Sequence, residues 1–153
     1  MGSFYLDSSA LVKYYISETG SAWVRELVDT QEHEDIISQL SVVEVAAAIE
    51  KRRRTKEIGQ HHQVRTLARL GIDYRQRYTI VRVSDSIVEL AVDLTGHHPL
   101  HAYDAMQLAT ALVLNRVMFD NQLPPLTFVS ADDALCDAAR AEGMNTENPN
   151  DRP

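Results

Sequence analysis

The sequence has one cysteine, Cys136, in 153 residues, so no intramolecular disulfide can form and a reducing compartment suits the chain. Long apolar runs are missing as well. The stretch 99–115 is the nearest approach to the roughly eighteen residues a membrane span needs, and His101, Asp104, Gln107 and Asn115 interrupt it, so a membrane-embedded chain is excluded. The opening MGSFYLD lacks the basic, apolar and small-residue regions of a secretory signal, and a cytoplasmic location is the expectation. No serine sits in a G-x-S-x-G elbow, Cys136 has no evident histidine partner in sequence, and no phosphate-binding glycine loop occurs. A phosphatase is disfavoured because no D-x-D motif follows the first strand.

The 44% apolar and 24% charged content instead fits one ordinary domain able to bury a core. Charge is spread unevenly. Residues 51–82 hold ten basic residues, among them Lys51, Arg52, Arg53 and Arg54, against only Glu57 and Asp73; that segment carries +8 within a chain whose net charge is -7. A basic block in an acidic protein reads either as a polyanion track beside a cation-loaded pocket or as a solvated pair of helices.

Strand and helix patterns alternate throughout, which predicts a three-layer α/β/α domain with a mostly parallel central sheet. Strands are expected at 3–6, 35–39, 79–83, 126–129 and 144–146. Helices are expected at 8–17, 21–30, 41–54, 57–77 (long or bent, weakened by Gly71), 84–95, 101–118 and 131–142. A single domain is expected over 1–147, with 148–153 as a flexible tail.

Four carboxylates stand in or beside apolar runs: Asp7 in SFYLDSSALV, Glu44 in LSVVEVAAAI, Asp104 in LHAYDAMQLATALVL and Asp132 in LTFVSADDAL. No Lys or Arg lies within four residues of any of them. An ionised carboxylate without a partner costs several kcal/mol out of water or shifts its pKa until neutral. Sites in open α/β sheets form beyond the carboxyl ends of strands, and Asp7, Glu44 and Asp132 all leave that rim. Two charges about 4 Å apart repel by roughly 4 kcal/mol at an effective dielectric near 20, so a converging set calls for a cation. Oxygen-only ligands select Mg²⁺ or Mn²⁺.

Structural alternatives exist for three of the four. Asp7 is a plausible N-cap, Glu44 is the last residue of an S-x-x-E capping box with Ser41, and Asp132 competes with Ser130 and Asp133 for the next helix start. Asp104, read as mid-helix on a face shared with Leu100, Leu108 and Ala111, has no capping role. His97 and His101 with Asp104 have a spacing that could hold zinc on one helix, but Pro99 breaks that helix.

These segments together resemble a PIN domain, and within that group the VapC-type ribonuclease toxins of bacterial toxin–antitoxin pairs. YLDSSALVKYY resembles the opening strand with its first acid, Asp7, and a small hydroxylated neighbour, Ser8, that assists the site. LSVVEVAAAI resembles the second block with Glu44, HAYDAMQLATAL the third with Asp104, and FVSADDAL the fourth, with Asp132 rather than Asp133 in the acid position. Two departures from the family pattern stand out: His101 ahead of the third acid and the extra acid at Asp133.

The resemblance implies an α/β/α fold, Mg²⁺- or Mn²⁺-dependent RNA cleavage leaving a 5′-phosphate, frequent homodimers and inhibition by a cognate antitoxin. Asp7 and Asp104 are then the more direct metal ligands, with Glu44 and Asp132 acting through water or a second ion, and Lys51, Arg52, Arg53 and Arg54 following the RNA phosphates. The competing expectation is a non-catalytic module whose acidic pocket docks a basic side chain of a partner.

Overall fold

The alternating pattern becomes, in the computed structural model, which describes residues 2–153, a parallel sheet covered by helices on both faces. In chain order the elements are β1 (Ser3–Leu6), α1 (Ser8–Tyr15), α2 (Ser21–Asp29), β2 (Glu34–Ser38), α3 (Gln39–Arg54), α4 (Gln60–Gln76), β3 (Thr79–Val81), α5 (Asp85–His97), α6 (Ala102–Asp120), β4 (Thr127–Val129), α7 (Asp133–Ala141) and β5 (Asn145–Glu147). A short 3₁₀ turn, Pro149–Asp151, follows. The strand order is β3-β2-β1-β4-β5, and every neighbouring pair is parallel.

Period-two alternation divides the core. Tyr5 lies opposite Ile36 and Phe128, and these three face a core built with Ile87 of α5, Leu108 of α6 and Leu135 of α7. Leu6, Ile37 and Val129 point the other way, against Leu11 of α1, Val24 of α2, Val45 and Ile49 of α3 and Leu70 of α4. Because both sheet faces are covered, β1, β2 and β4 carry apolar residues on both sides. Each such side chain contributes roughly 1.5–3 kcal/mol by leaving water. The chain leaves β1 toward β2 and β3, then returns to β4 on the other side. Strand order therefore reverses at β1, and the crevice beyond its carboxyl end is the topological switch point.

Three local expectations are corrected. Ser38, the last residue of β2, caps α3 by accepting from the Leu40 amide at 3.1 Å. The helix therefore starts directly off the strand, Ser41 lies buried inside it, and Ser41 and Glu44 form no capping box. Helix α4 begins at Gln60 and runs unbroken through Gly71, whose helical penalty of about 1 kcal/mol is outweighed by burial of Leu70 and Thr66 beside it. Helix α6 begins at Ala102, which puts Asp104 in its first turn rather than mid-helix. Beyond β5 the chain packs down through the first residues after Glu147. Asn148 and Pro149 are buried, and the Asn148 side chain donates to Asp133 at 2.9 Å.

Candidate active site

At the end of β1 the chain turns into α1, and Asp7 caps that helix through Oδ1, which accepts from the Ala10 amide at 2.9 Å. The same oxygen accepts from Ser9 Oγ at 2.7 Å, while Oδ2 accepts from Ser130 Oγ at 2.6 Å. Capping therefore does not compete with a site role; it fixes the carboxylate in place. The residue is 2% exposed. Burial pushes its pKa up to about 6, against the pull of the Ser130, Ser9 and Ala10 hydrogen bonds, and the charge of Asp104 raises it further.

Asp104 comes to the same rim from the first turn of α6, where the helix N-terminus favours a negative charge. Its pKa is raised by burial, then by Asp132; His101 opposes, and Glu44 adds to the rise. Nothing that hydrogen-bonds it is among these influences, so its upward shift is offset only through space.

Glu44 reaches the rim from α3. Ser8 Oγ donates to its Oε2 at 2.7 Å and Gln107 Nε2 to its Oε1 at 2.9 Å. Asp132 follows β4 and caps α7, its Oδ1 accepting from the Leu135 amide at 3.0 Å. Asp133 is held by Asn148 and exposed, so Asp132 is the acid that acts on Asp104. The end of β4 is stitched to the end of β1: the Ala131 amide donates to Ser9 Oγ at 2.9 Å and the Asp132 amide to Ser130 Oγ at 3.1 Å.

The four acids thus lie within mutual electrostatic reach around Asp104. Among the described residues, no three His, Cys, Asp or Glu side chains are gathered closely enough to enclose an ion by themselves. Mg²⁺ needs no such cage, since it keeps several waters and commonly takes one or two carboxylates together with substrate phosphates. The donor set is all oxygen, and Asp7 and Asp104 each raise their pKa partly through neighbouring acids, which is the electrostatic signature a cation would relieve. On that chemistry the residues fit a hard divalent ion.

Three contributors escaped the sequence reading: Ser9, Ser130 and Gln107. Gln107 had a signal available, as an uncharged polar residue three positions after Asp104 in an otherwise apolar segment. Ser130 had none, because its bond to Asp7 depends on β4 lying beside β1, and Ser9 is signalled only by standing two residues after Asp7.

The histidines separate as Pro99 implied, with His97 ending α5 and His101 preceding α6. Cys136 is buried, donates to the Ser130 carbonyl at 3.2 Å and has its thiol pushed up to about 11 by burial, which leaves it inert. The basic block divides. Arg52 pairs with Glu18 and Glu57, while Arg69 and Arg77 pair with the buried Asp73. Lys51 and Arg54 are exposed and Arg53 half-buried, all in the last turn of α3, where cations also complement the helix dipole.

A concavity of about 870 Å³ lies at the opposite rim, against Ser3, Glu34, Asp35, Arg77 and Leu123, and includes none of the four acids. No helix among the described residues is long and apolar enough to cross a membrane.

A model of the PIN domain matches residues 4–141. No curated protein matches the chain. Solved structures match over nearly its full length. One is a toxin–antitoxin complex from Klebsiella pneumoniae, 20% identical, covering 95% of this chain and 96% of that one with a TM-score of 0.60. Another is VapBC2 from Rickettsia felis bound to a DNA fragment from their promoter, 14% identical over 95% and 98% of the two chains, TM-score 0.64. A third is the Sarcin-Ricin loop cleaving toxin VapC20 of Mycobacterium tuberculosis, 16% identical over 92% and 95%, TM-score 0.61. At these identities the likeness is one of fold.

Proposed function

The chain belongs to the PIN domain family, and from that premise we propose that it is a Mg²⁺- or Mn²⁺-dependent endoribonuclease, the toxin of a cytoplasmic toxin–antitoxin pair. The observation that carries this reading is the placing of buried Asp7 and half-buried Asp104 at the switch point, where the charge of Asp104 adds to the upward shift that burial gives Asp7. Asp7 and Asp104 would hold the ion most directly, and Glu44 and Asp132 would complete the pocket. A bound divalent ion supplies charge neutralisation at the phosphate and lowers the pKa of water in its shell.

The remaining work falls to the chain. Ser8 and Gln107 hold the Glu44 carboxylate; Ser9 and Ser130 hold that of Asp7. Lys51 stands seven residues after Glu44 on α3, about 10 Å along the axis and nearly the same face. From there it and Arg54 would contact backbone phosphates flanking the scissile one. The likeness to the toxin–antitoxin complex from Klebsiella pneumoniae supports a cognate antitoxin as partner. A second copy of the chain is the other partner proposed.

The deciding experiment is cleavage of RNA with Mg²⁺ or Mn²⁺ by the wild type and Asp104→Asn. Loss of at least a hundredfold in the variant supports the reading; equal activities would mean a contaminating nuclease and end it. The absence of an enclosing triad among the described residues favours a second reading, a docking pocket for a basic partner side chain. Calorimetry with Mn²⁺ separates the two, since a docking pocket takes up no ion.

A further inference from the structure

Gln107 is 2% exposed, on α6 one turn beyond Asp104, with Leu108 and Ala111 packed into the core beside it. A primary amide buried in such surroundings costs several kcal/mol unless its two N–H groups and its carbonyl find partners. All are used. Tyr5 Oη donates to Oε1 at 2.6 Å, and Nε2 donates to Ser41 Oγ at 3.0 Å and to Glu44 Oε1 at 2.9 Å.

This set of partners fixes which way the amide faces. The Glu44 carboxylate only accepts, so the nitrogen must face it and Ser41, and the oxygen is left to meet the Tyr5 hydroxyl. Glu44 consequently receives one donor on each oxygen, from α6 through Gln107 and from α1 through Ser8. One lone pair on each oxygen stays available. The contact also ties two acids to one another mechanically, because Gln107 shares its helix with Asp104 and grips the acid on α3.

We infer that Gln107 is a positioning residue: through the Nε2–Glu44 bond it sets the orientation of the Glu44 carboxylate toward the cation pocket, and so sets the affinity of that pocket for a divalent ion. The inference rests on the metal-dependent reading of the site. It assigns no contact between Gln107 and RNA or ion. Partners of this kind behind a metal-binding carboxylate typically account for 10–100-fold in affinity.

The test measures Mn²⁺ binding by calorimetry and by the electron paramagnetic resonance of the free ion, so that it needs no RNA cleavage. Gln107→Met keeps volume and removes the donors; its affinity should fall at least tenfold. Gln107→Asn keeps the amide but is one methylene too short for Glu44, and should fall similarly; it replaces the Met variant if circular dichroism shows that one unfolded. Tyr5→Phe removes the bond that merely anchors the amide oxygen, and should stay within about twofold of wild type. A structural role alone would lower thermal stability in Gln107→Met and Tyr5→Phe together and leave Mn²⁺ affinity unmoved.

Asp104→Asn separates two kinds of failure. If it loses Mn²⁺ while a folded Gln107 variant binds like wild type, the positioning role is wrong and the metal site stands. If Tyr5→Phe loses as much affinity as the Gln107 variants, the Glu44 bond is not the cause and the inference is overturned. If the wild type binds no Mn²⁺, or Asp104→Asn binds equally well, the metal-dependent reading itself falls and takes the inference with it.

Discussion

Ser130 donates to Oδ2 of Asp7 at 2.6 Å and at the same time accepts the Asp132 amide at 3.1 Å, so one buried hydroxyl sets the first acid and the start of the loop that bears the fourth. Replacing it with alanine should cost about 1–3 kcal/mol, the usual penalty for removing a donor from a buried acceptor. The penalty should depend on pH. Burial has already raised Asp7 to about 6, and Ser130 is the largest influence pulling it back down. A carboxyl raised in the folded state contributes stability that is complete below its unfolded pKa of about 4 and is lost as pH rises through its folded value. Without Ser130 that loss deepens. Urea denaturation of Ser130→Ala in EDTA should therefore show a larger deficit at pH 8 than at pH 5, and equal deficits would contradict this account of Asp7.

How much of this could be read beforehand depends on where the information sits. Strands and helices were legible because alternation and helical periodicity are local, and both cores follow from Tyr5/Leu6, Ile36/Ile37 and Phe128/Val129 pointing to opposite faces. The rim location of Asp7 and Asp132 also followed from their places just after strands. Ser41 was misread because a serine at Ser38 caps the helix first, and capping signals repeat in sequence without saying which one the strand end will use. Gln107 and Ser130 gain their roles at Glu44 and Asp7 from partners 63 and 123 residues away, across a sheet order that no local pattern encodes, whereas the bond from Ser9 to Asp7 spans only two residues.

The division of the basic block makes a prediction that charge counting alone does not. Arg52, Glu18 and the buried Lys13 form one linked group joining α3 to the turn after α1, with Lys13 Nζ 3.0 Å from Glu18. Arg52→Ala should cost about 1 kcal/mol of stability, in line with a partly exposed pair. Lys51→Ala and Arg54→Ala should each leave stability within about 0.5 kcal/mol. Those two should instead weaken RNA binding and lower the salt dependence of log K by about one phosphate each. Fluorescence anisotropy across a salt series with an uncleaved RNA analogue checks this; unchanged slopes would remove α3's last turn from the RNA path.

The packed tail can be tested at Gly20. Its φ is +83°, and a Cβ there would lie 2.3 Å from the Pro149 carbonyl oxygen, a distance no real contact adopts. Gly20→Ala should lose about 2–5 kcal/mol, combining backbone strain with overpacking. Ending the chain at Glu147 removes Pro149 and leaves only the strain, so the same substitution should cost visibly less in the shortened protein. If the penalty is the same in both, the 3₁₀ turn does not press on Gly20 in solution.

The opposite rim provides a control for the site. Asp35, at the start of β2, is pushed up to about 7 by burial, with Arg77 pulling it down and Asp29 and Glu34 raising it further. Its Oδ1 and the His33 Nε2 stand 3.4 Å apart, both buried and neither hydrogen-bonded. The sign is again that of a raised acid: this group favours folding below about pH 4 and opposes it increasingly up to pH 7 and beyond. Asp35→Asn removes the ionisation while preserving shape, so it should stabilise the protein by roughly 2–4 kcal/mol at pH 8 and change little at pH 4. Because Asp35 lies at the amino end of the strands, away from Asp7 and Asp104, RNA cleavage by this variant should match wild type wherever both are folded. A stabilised variant with lost activity would mean the two rims communicate, and a variant with no gain at pH 8 would mean that Asp35 is charged and compensated by a neighbour such as His33.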